Sequence, residues 1–136
     1  MIRRIKINGY KSFRNLNLEL KPLSVIFGPN ASGKSNLLDA IYFLSRIASQ
    51  KNLKEAFENH RGYPLESFYY GDNGKEKRGN LEWTIEVDVE LSDSIAREVE
   101  NLINEKRKGI DSVAGSKKII TEKLLRYKLT IEALPA

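Results

Sequence analysis

Residues 28–35 read Gly-Pro-Asn-Ala-Ser-Gly-Lys-Ser, with an apolar run before them and a helical repeat after them. The run Leu23-Ser24-Val25-Ile26-Phe27 ends at a glycine, the pattern of a short strand buried on both faces. Beyond the octet, Leu37, Leu38, Ile41, Leu44 and Ala48 recur on one helix face, which predicts a helix over about 35–50. Strand, glycine loop and helix in that order set a bend of backbone amides at the positive end of a helix, which is an anion site. Gly28 and Gly33 allow turns closed to a Cβ, with Pro29, Asn30, Ala31 and Ser32 as the body of the loop. Lys34 adds a cation for β- and γ-phosphate oxygens, and the Ser35 hydroxyl suits a magnesium ion riding with them. The octet therefore predicts nucleotide binding.

At 136 residues the chain is one domain or part of one, large enough for a core but short for a complete nucleotide-hydrolysing head. No apolar run approaches the roughly 20 residues of a membrane span, and Met1-Ile2-Arg3-Arg4-Ile5-Lys6 reads straight into a strand. Cysteine is absent and His60 is the single histidine, so disulfides, thiolate sites and histidine metal clusters are excluded. A cytoplasmic location without membrane partners is the default expectation. The net charge of +5 permits a nucleic-acid partner without demanding one. Its basic clusters, at Arg3-Arg4, at 75–78 and at Lys106-Arg107-Lys108, read equally well as solvated turns or strand ends.

Period-two alternation supplies the other strands. Ile5 and Ile7 suggest a first strand ending near Gly9, and Leu16, Leu18 and Leu20 a second with one wet face. Lys21-Pro22 breaks the chain before the apolar run. A less regular stretch follows over 51–66, then a brief strand at Phe68-Tyr69-Tyr70 and a turn at Gly71-Asp72-Asn73-Gly74. From Leu81 to Leu91 every odd residue is apolar and every even one polar. Ser92 can cap a helix whose buried stripe is Ile95, Val99, Leu102 and Ile103, closed by the basic cluster and Gly109. Leu125, Tyr127, Leu129, Ile131 and Ala133 then alternate with Arg126, Lys128, Thr130 and Glu132. Strands with one polar face indicate an antiparallel layer beside the loop strand. The expected fold is α/β, with a mixed or antiparallel sheet around the phosphate-loop strand and helix. Residues 1–50 would form three strands, the loop and a helix, and 51–136 an antiparallel subdomain with one helix.

The N-terminal half resembles the ATP-binding heads of the SMC/RecF branch of the ABC-type ATPases, including AAA-family predicted ATPases of the overcoming-lysogenization-defect group. Three stretches carry the likeness: Ile5-Lys6-Ile7-Asn8-Gly9-Tyr10-Lys11-Ser12-Phe13, the segment from Gly28 to Ile41 through Asn36-Leu37-Leu38-Asp39-Ala40, and Arg61-Gly62 with Phe68-Tyr69-Tyr70-Gly71. It covers residues 1–71 well and 72–136 only as a strand pattern. The resemblance implies a P-loop ATP-binding lobe in which Asn30 and Lys34 engage the terminal phosphates and Ser35 engages magnesium. Lys11 and Ser12 would lie against the nucleotide, and Arg61 would be an arginine-loop residue near a head–head interface or DNA. Read from the residues alone, Lys11 and Arg61 are simply exposed turn cations. Asn36 stands where transporter-type subunits usually carry Thr.

Hydrolysis needs a strand of about four apolar residues ending in Asp-Glu, and nothing here fits. Asp88 and Glu90 lie in an alternating segment, and Glu122 follows only Ile119-Ile120-Thr121. The family's Ser-Gly-Gly motif is absent, Ala114-Gly115-Ser116 being the nearest string, and Gln50 falls too early for a magnesium-sensing glutamine. No catalytic residue is therefore assigned. The gaps suggest the N-terminal lobe of a longer ATPase, ending after a strand at Leu134-Pro135-Ala136 and completed by a C-terminal lobe; the resemblance implies ATP, a second head and DNA as its partners. Its parent would act in DNA repair, chromosome maintenance or anti-phage defence, and the lobe alone would hydrolyse ATP negligibly. A stand-alone nucleotide-binding regulatory module is the alternative; a transporter-type subunit fits less well, because of Asn36 and the Lys-Ser-Phe turn.

Overall fold

The computed structural model of the chain describes residues 1–50, 52–58, 61–71, 81–108 and 119–133. His60, the turn at 72–74, the basic cluster at 75–78, Gly109, Ala114-Gly115-Ser116 and Leu134-Pro135-Ala136 lie outside the described residues. Alternation becomes one antiparallel sheet of four strands: β1 (Ile2–Tyr10), β2 (Phe13–Glu19), β3 (Leu81–Glu90) and β4 (Leu124–Ala133), in the spatial order β2-β1-β3-β4. Register turns the sequence pattern into rows. Leu16, Ile7, Ile85 and Leu129 face one another across all four strands, as do Leu18, Ile5, Val87 and Tyr127. The opposite face carries Glu19, Arg4, Asp88 and Arg126 in one row and Asn17, Lys6, Glu86 and Lys128 in the next. Charges alternate across that face, so neighbouring strands attract.

Helix α1 (Lys34–Ser49) covers the apolar face with Leu37, Ala40, Phe43 and Leu44. Trp83, fully buried on β3, meets Tyr10 and Phe43 edge-on with ring centroids 5.2 and 5.6 Å away. Its indole N–H donates to Ser67 Oγ at 2.9 Å, which ties the 3₁₀ turn Pro64–Ser67 to the core. Helix α2 (Leu53–Glu58) is capped by Asn52, whose side-chain oxygen accepts from Glu55 N–H, and held by Arg46 of α1 donating to the Ala56 and Glu55 carbonyls. The stretch over 51–66 thus holds more regular structure than its composition suggested. Phe68 makes a single bridge to Tyr10 rather than a strand.

Helix α3 (Asp93–Lys108) starts at the predicted cap, Ile95 N–H donating to Ser92 Oγ. Its inward face is rotated from the expectation: Ala96 is buried and Val99 and Ile103 half-buried, whereas Ile95 and Leu102 are exposed. The returning chain is tied to this helix at Glu100, whose carboxylate accepts from the Ile119 and Ile120 amides.

The largest correction concerns Leu23-Ser24-Val25-Ile26-Phe27. This run is not a strand, the sheet is not built around it, and among the described residues no parallel pair makes the sheet mixed. Pairing continues only to Leu20, whose N–H donates to the Arg3 carbonyl. Beyond Pro22 the chain leaves the sheet, and Phe27 is left 91% exposed. A strand needs a neighbour for its backbone groups, and none of the four described strands runs beside this segment.

Candidate nucleotide-binding site

The phosphate-loop octet folds into a tight bend that delivers the chain into α1. Gly33 (φ 92°) and Ala31 (φ 64°) take left-handed conformations; Gly28 does not, contrary to the expectation that both fixed glycines would. Helix α1 opens at Lys34, one residue earlier than predicted, with Leu37 N–H donating to the Gly33 carbonyl. The amides before Leu37 have no partner within the helix, and no acidic residue occupies its first turn. The positive helix end therefore faces the loop uncancelled. Lys34 folds back onto the loop, its ammonium donating to the Gly28 and Pro29 carbonyls at 2.7 and 2.6 Å and to Ser32 Oγ at 3.3 Å. An anion in the bend would exchange these carbonyl contacts for stronger charged ones. Asn30 and Ser35 are both exposed.

The β1–β2 turn is carried to the same place by packing. Asn36 Nδ2 donates to Ser12 Oγ at 2.8 Å, and a Cβ on Gly33 would lie 2.9 Å from the Phe13 ring. Packing thus brings Lys11 and Ser12 against the start of α1. The Lys11 ammonium is already engaged, donating to Asp39 Oδ2 at 2.8 Å and to the Arg61 carbonyl at 3.1 Å. A groove of about 700 Å³ opens here. Lys11 and Ser12 of the turn line it, with Ser35, Asn36 and Asp39 of α1 and, from the facing segment, Arg61, Gly62, Glu66, Phe68, Tyr69, Tyr70 and Gly71. Glu66 holds its own segment in shape, its carboxylate accepting from Tyr63 N–H at 3.1 Å.

Sequence reasoning gave Asp39, Tyr69 and Tyr70 no individual place in the site. The polar Asp39 beside Leu38 and Ala40 on an apolar helix is the one signal that could have flagged it. Its charge also reaches Tyr10, whose hydroxyl pKa is pushed well above the usual range, first by burial and then by Asp39. Tyr10 is accordingly a neutral core residue. Among the described residues no cluster of three His, Cys, Asp or Glu could hold a metal, so magnesium would depend on oxygen donors such as Ser35 and on the phosphates themselves. The exposed hydroxyl of Ser35 at the helix start fits that demand. No helix among the described residues is long and apolar enough to cross a membrane.

A glycine-bounded bend at a helix start, with a lysine folded into it, is the arrangement of a P-loop domain. The chain belongs to the AAA ATPase domain family, whose model matches residues 1–132. It is similar to an ATP/GTP phosphatase of Helicobacter pylori, 30% identical over 82% of this chain and 31% of that protein. It is also similar to the DNA replication and repair protein RecF of Phocaeicola vulgatus, 35% identical over 55% of this chain and 21% of the relative. The chromosome partition protein Smc of Methanocaldococcus jannaschii is 43% identical over 39% of this chain and 5% of its own length. The SMC/RecF likeness read from the loop and the opening strand is thereby borne out. The chain spans less than a third of the length of these curated relatives. No solved structure matches it.

Proposed function

We propose that this chain is the magnesium–ATP-binding N-terminal lobe of an SMC/RecF-like ATPase. The observation that carries the reading is the loop itself: Gly28 to Gly33 bend into an uncancelled helix start, and Lys34 already occupies the loop with its ammonium. In this reading the loop amides and the Asn30 side chain receive phosphate oxygens, Lys34 swings from the Gly28 and Pro29 carbonyls to the β- and γ-phosphates, and Ser35 gives its hydroxyl to magnesium. The ion, when bound, neutralises phosphate charge. The nucleoside half lies in the groove beside Ser35 and Asn36, where Tyr69 and Tyr70 offer aromatic surface to a base.

Hydrolytic groups come from further residues outside this chain, and the exposed run from Leu23 to Phe27 supports that division: these side chains have the composition of a strand and, among the described residues, lack the neighbours of one. The RecF relative, a DNA replication and repair protein, and the Smc relative, a chromosome partition protein, support a parent that works on DNA; a second head, with Arg61 near the shared surface, belongs to the same proposal. The test is calorimetry of magnesium–ATP and magnesium–GTP with this chain and with Lys34→Ala. Loss of at least tenfold in ATP affinity on removing the ammonium is expected. Unchanged affinity in a folded variant refutes the site.

A further inference from the structure

Two lysines border the site, and their surroundings differ. Among the described residues the Lys34 ammonium is hydrogen-bonded only within the loop that it would leave. Lys11 is tied to three other segments. Its backbone N–H donates to the Ser67 carbonyl at 2.8 Å, and its ammonium donates to Asp39 on α1 and to the Arg61 carbonyl. The side chain is 11% exposed, and the ammonium lies 5.6 Å from the centre of the Tyr10 ring. The residue also holds a left-handed backbone (φ 46°), a conformation that costs a non-glycine residue energy and persists where neighbours enforce it. A cation so compensated has little to offer a phosphate, because reaching one would strand the half-buried Asp39 carboxylate.

We propose that Lys11 is a positioning residue: its ammonium, held between Asp39 and the Arg61 carbonyl, pins the 61–62 segment to α1 and sets the width of the groove that receives the nucleoside. The proposal rests on the nucleotide reading above but assigns Lys11 a different role from a phosphate contact. Asp39 is its necessary partner, since the carboxylate fixes where the ammonium can present its remaining protons. The phosphate-binding bend, built from 28–35, does not depend on this clamp.

The test measures magnesium–ATP affinity and competition by inorganic tripolyphosphate for the parent chain, Lys11→Met, Lys11→Arg, Asp39→Asn and the Lys11→Met/Asp39→Asn double variant, with Lys34→Ala beside them. Lys11→Met and Asp39→Asn should each weaken ATP by about tenfold, and the double variant no more than either single one. Tripolyphosphate should be unaffected, and Lys11→Arg should recover part of the loss. Hydrogen exchange read on the same proteins should show faster exchange at 61–71 in both single variants, with α1 unchanged. If Lys11→Met weakens ATP and tripolyphosphate by one factor, or if Asp39→Asn leaves both ATP affinity and exchange as in the parent, the clamp is wrong. Should tripolyphosphate compete too weakly to measure, the exchange pattern and the double variant decide the matter alone. An ineffective Lys34→Ala instead overturns the nucleotide site, and is separable because the exchange result does not involve nucleotide.

Discussion

Gly9 and Gly71 share one backbone conformation in unlike surroundings, and replacing each by alanine separates strain from collision. Their φ values are 71° and 84°, so each substitution pays the left-handed penalty of about 1–2 kcal/mol, partly offset by about 0.4–1 kcal/mol from a stiffer unfolded chain. At Gly71 a new Cβ meets nothing within 4 Å among the described residues, so Gly71→Ala should cost about 1 kcal/mol or less. At Gly9 the same atom would stand 2.5 Å from the Glu82 carbonyl oxygen, backbone of the adjacent central strand. Relief requires β1 and β3 to part by most of an ångström beside Trp83, an overpacking cost of about 1–3 kcal/mol. The Gly9 carbonyl also accepts from Tyr69 N–H at 2.7 Å, and displacing it adds about 1 kcal/mol. Gly9→Ala should therefore cost about 3–5 kcal/mol, roughly 2–4 more than its counterpart. Urea unfolding followed by the fluorescence of Trp83, the single tryptophan, measures both. Equal losses would refute the claim that collision with the Glu82 carbonyl, beyond the left-handed backbone, sets the cost at Gly9.

Trp83→Phe removes the indole bond to buried Ser67 and part of a ring, and should cost about 2 kcal/mol by circular dichroism in urea. Asp88 sits on the polar sheet face, shaded by its neighbours yet outside the apolar core, and its pKa is lowered chiefly by hydrogen bonding from Arg126, with Arg4 adding to the effect and desolvation opposing it. A lowered folded pKa means that the unfolded chain binds the proton more readily, so this stabilisation is complete above the unfolded value near pH 4 and fades as pH falls through the folded one. Asp88→Asn should accordingly destabilise the chain at pH 7, and the gap to the parent should narrow below about pH 4; a gap independent of pH contradicts the assignment.

Local chemistry was legible and pairing was not. The octet announced its own bend and the helix behind it, because loop and helix need only residues close in sequence. The odd-numbered apolar positions from Leu81 announced β3, since period two is a property of one strand. Ser92 announced the start of α3 for the same reason. That β3 lies between β1 and β4 needed the whole sheet, as did the Glu19–Arg4–Asp88–Arg126 row that results. The Lys11–Asp39 contact spans 28 residues and the Trp83–Ser67 bond 16, and no periodicity encodes either.

Leu23 to Phe27 mark the boundary between the two kinds of information. By itself the sequence determined that these side chains are apolar enough to be buried, that a loop shaped for an anion follows them, and that alternating strands flank both. Tertiary structure alone decided that the four-stranded sheet closes without them, and that the Lys11 charge is matched by Asp39. The physical reason is that composition sets how much a segment gains from leaving water, whereas the partner for its backbone hydrogen bonds must be supplied by another part of the chain.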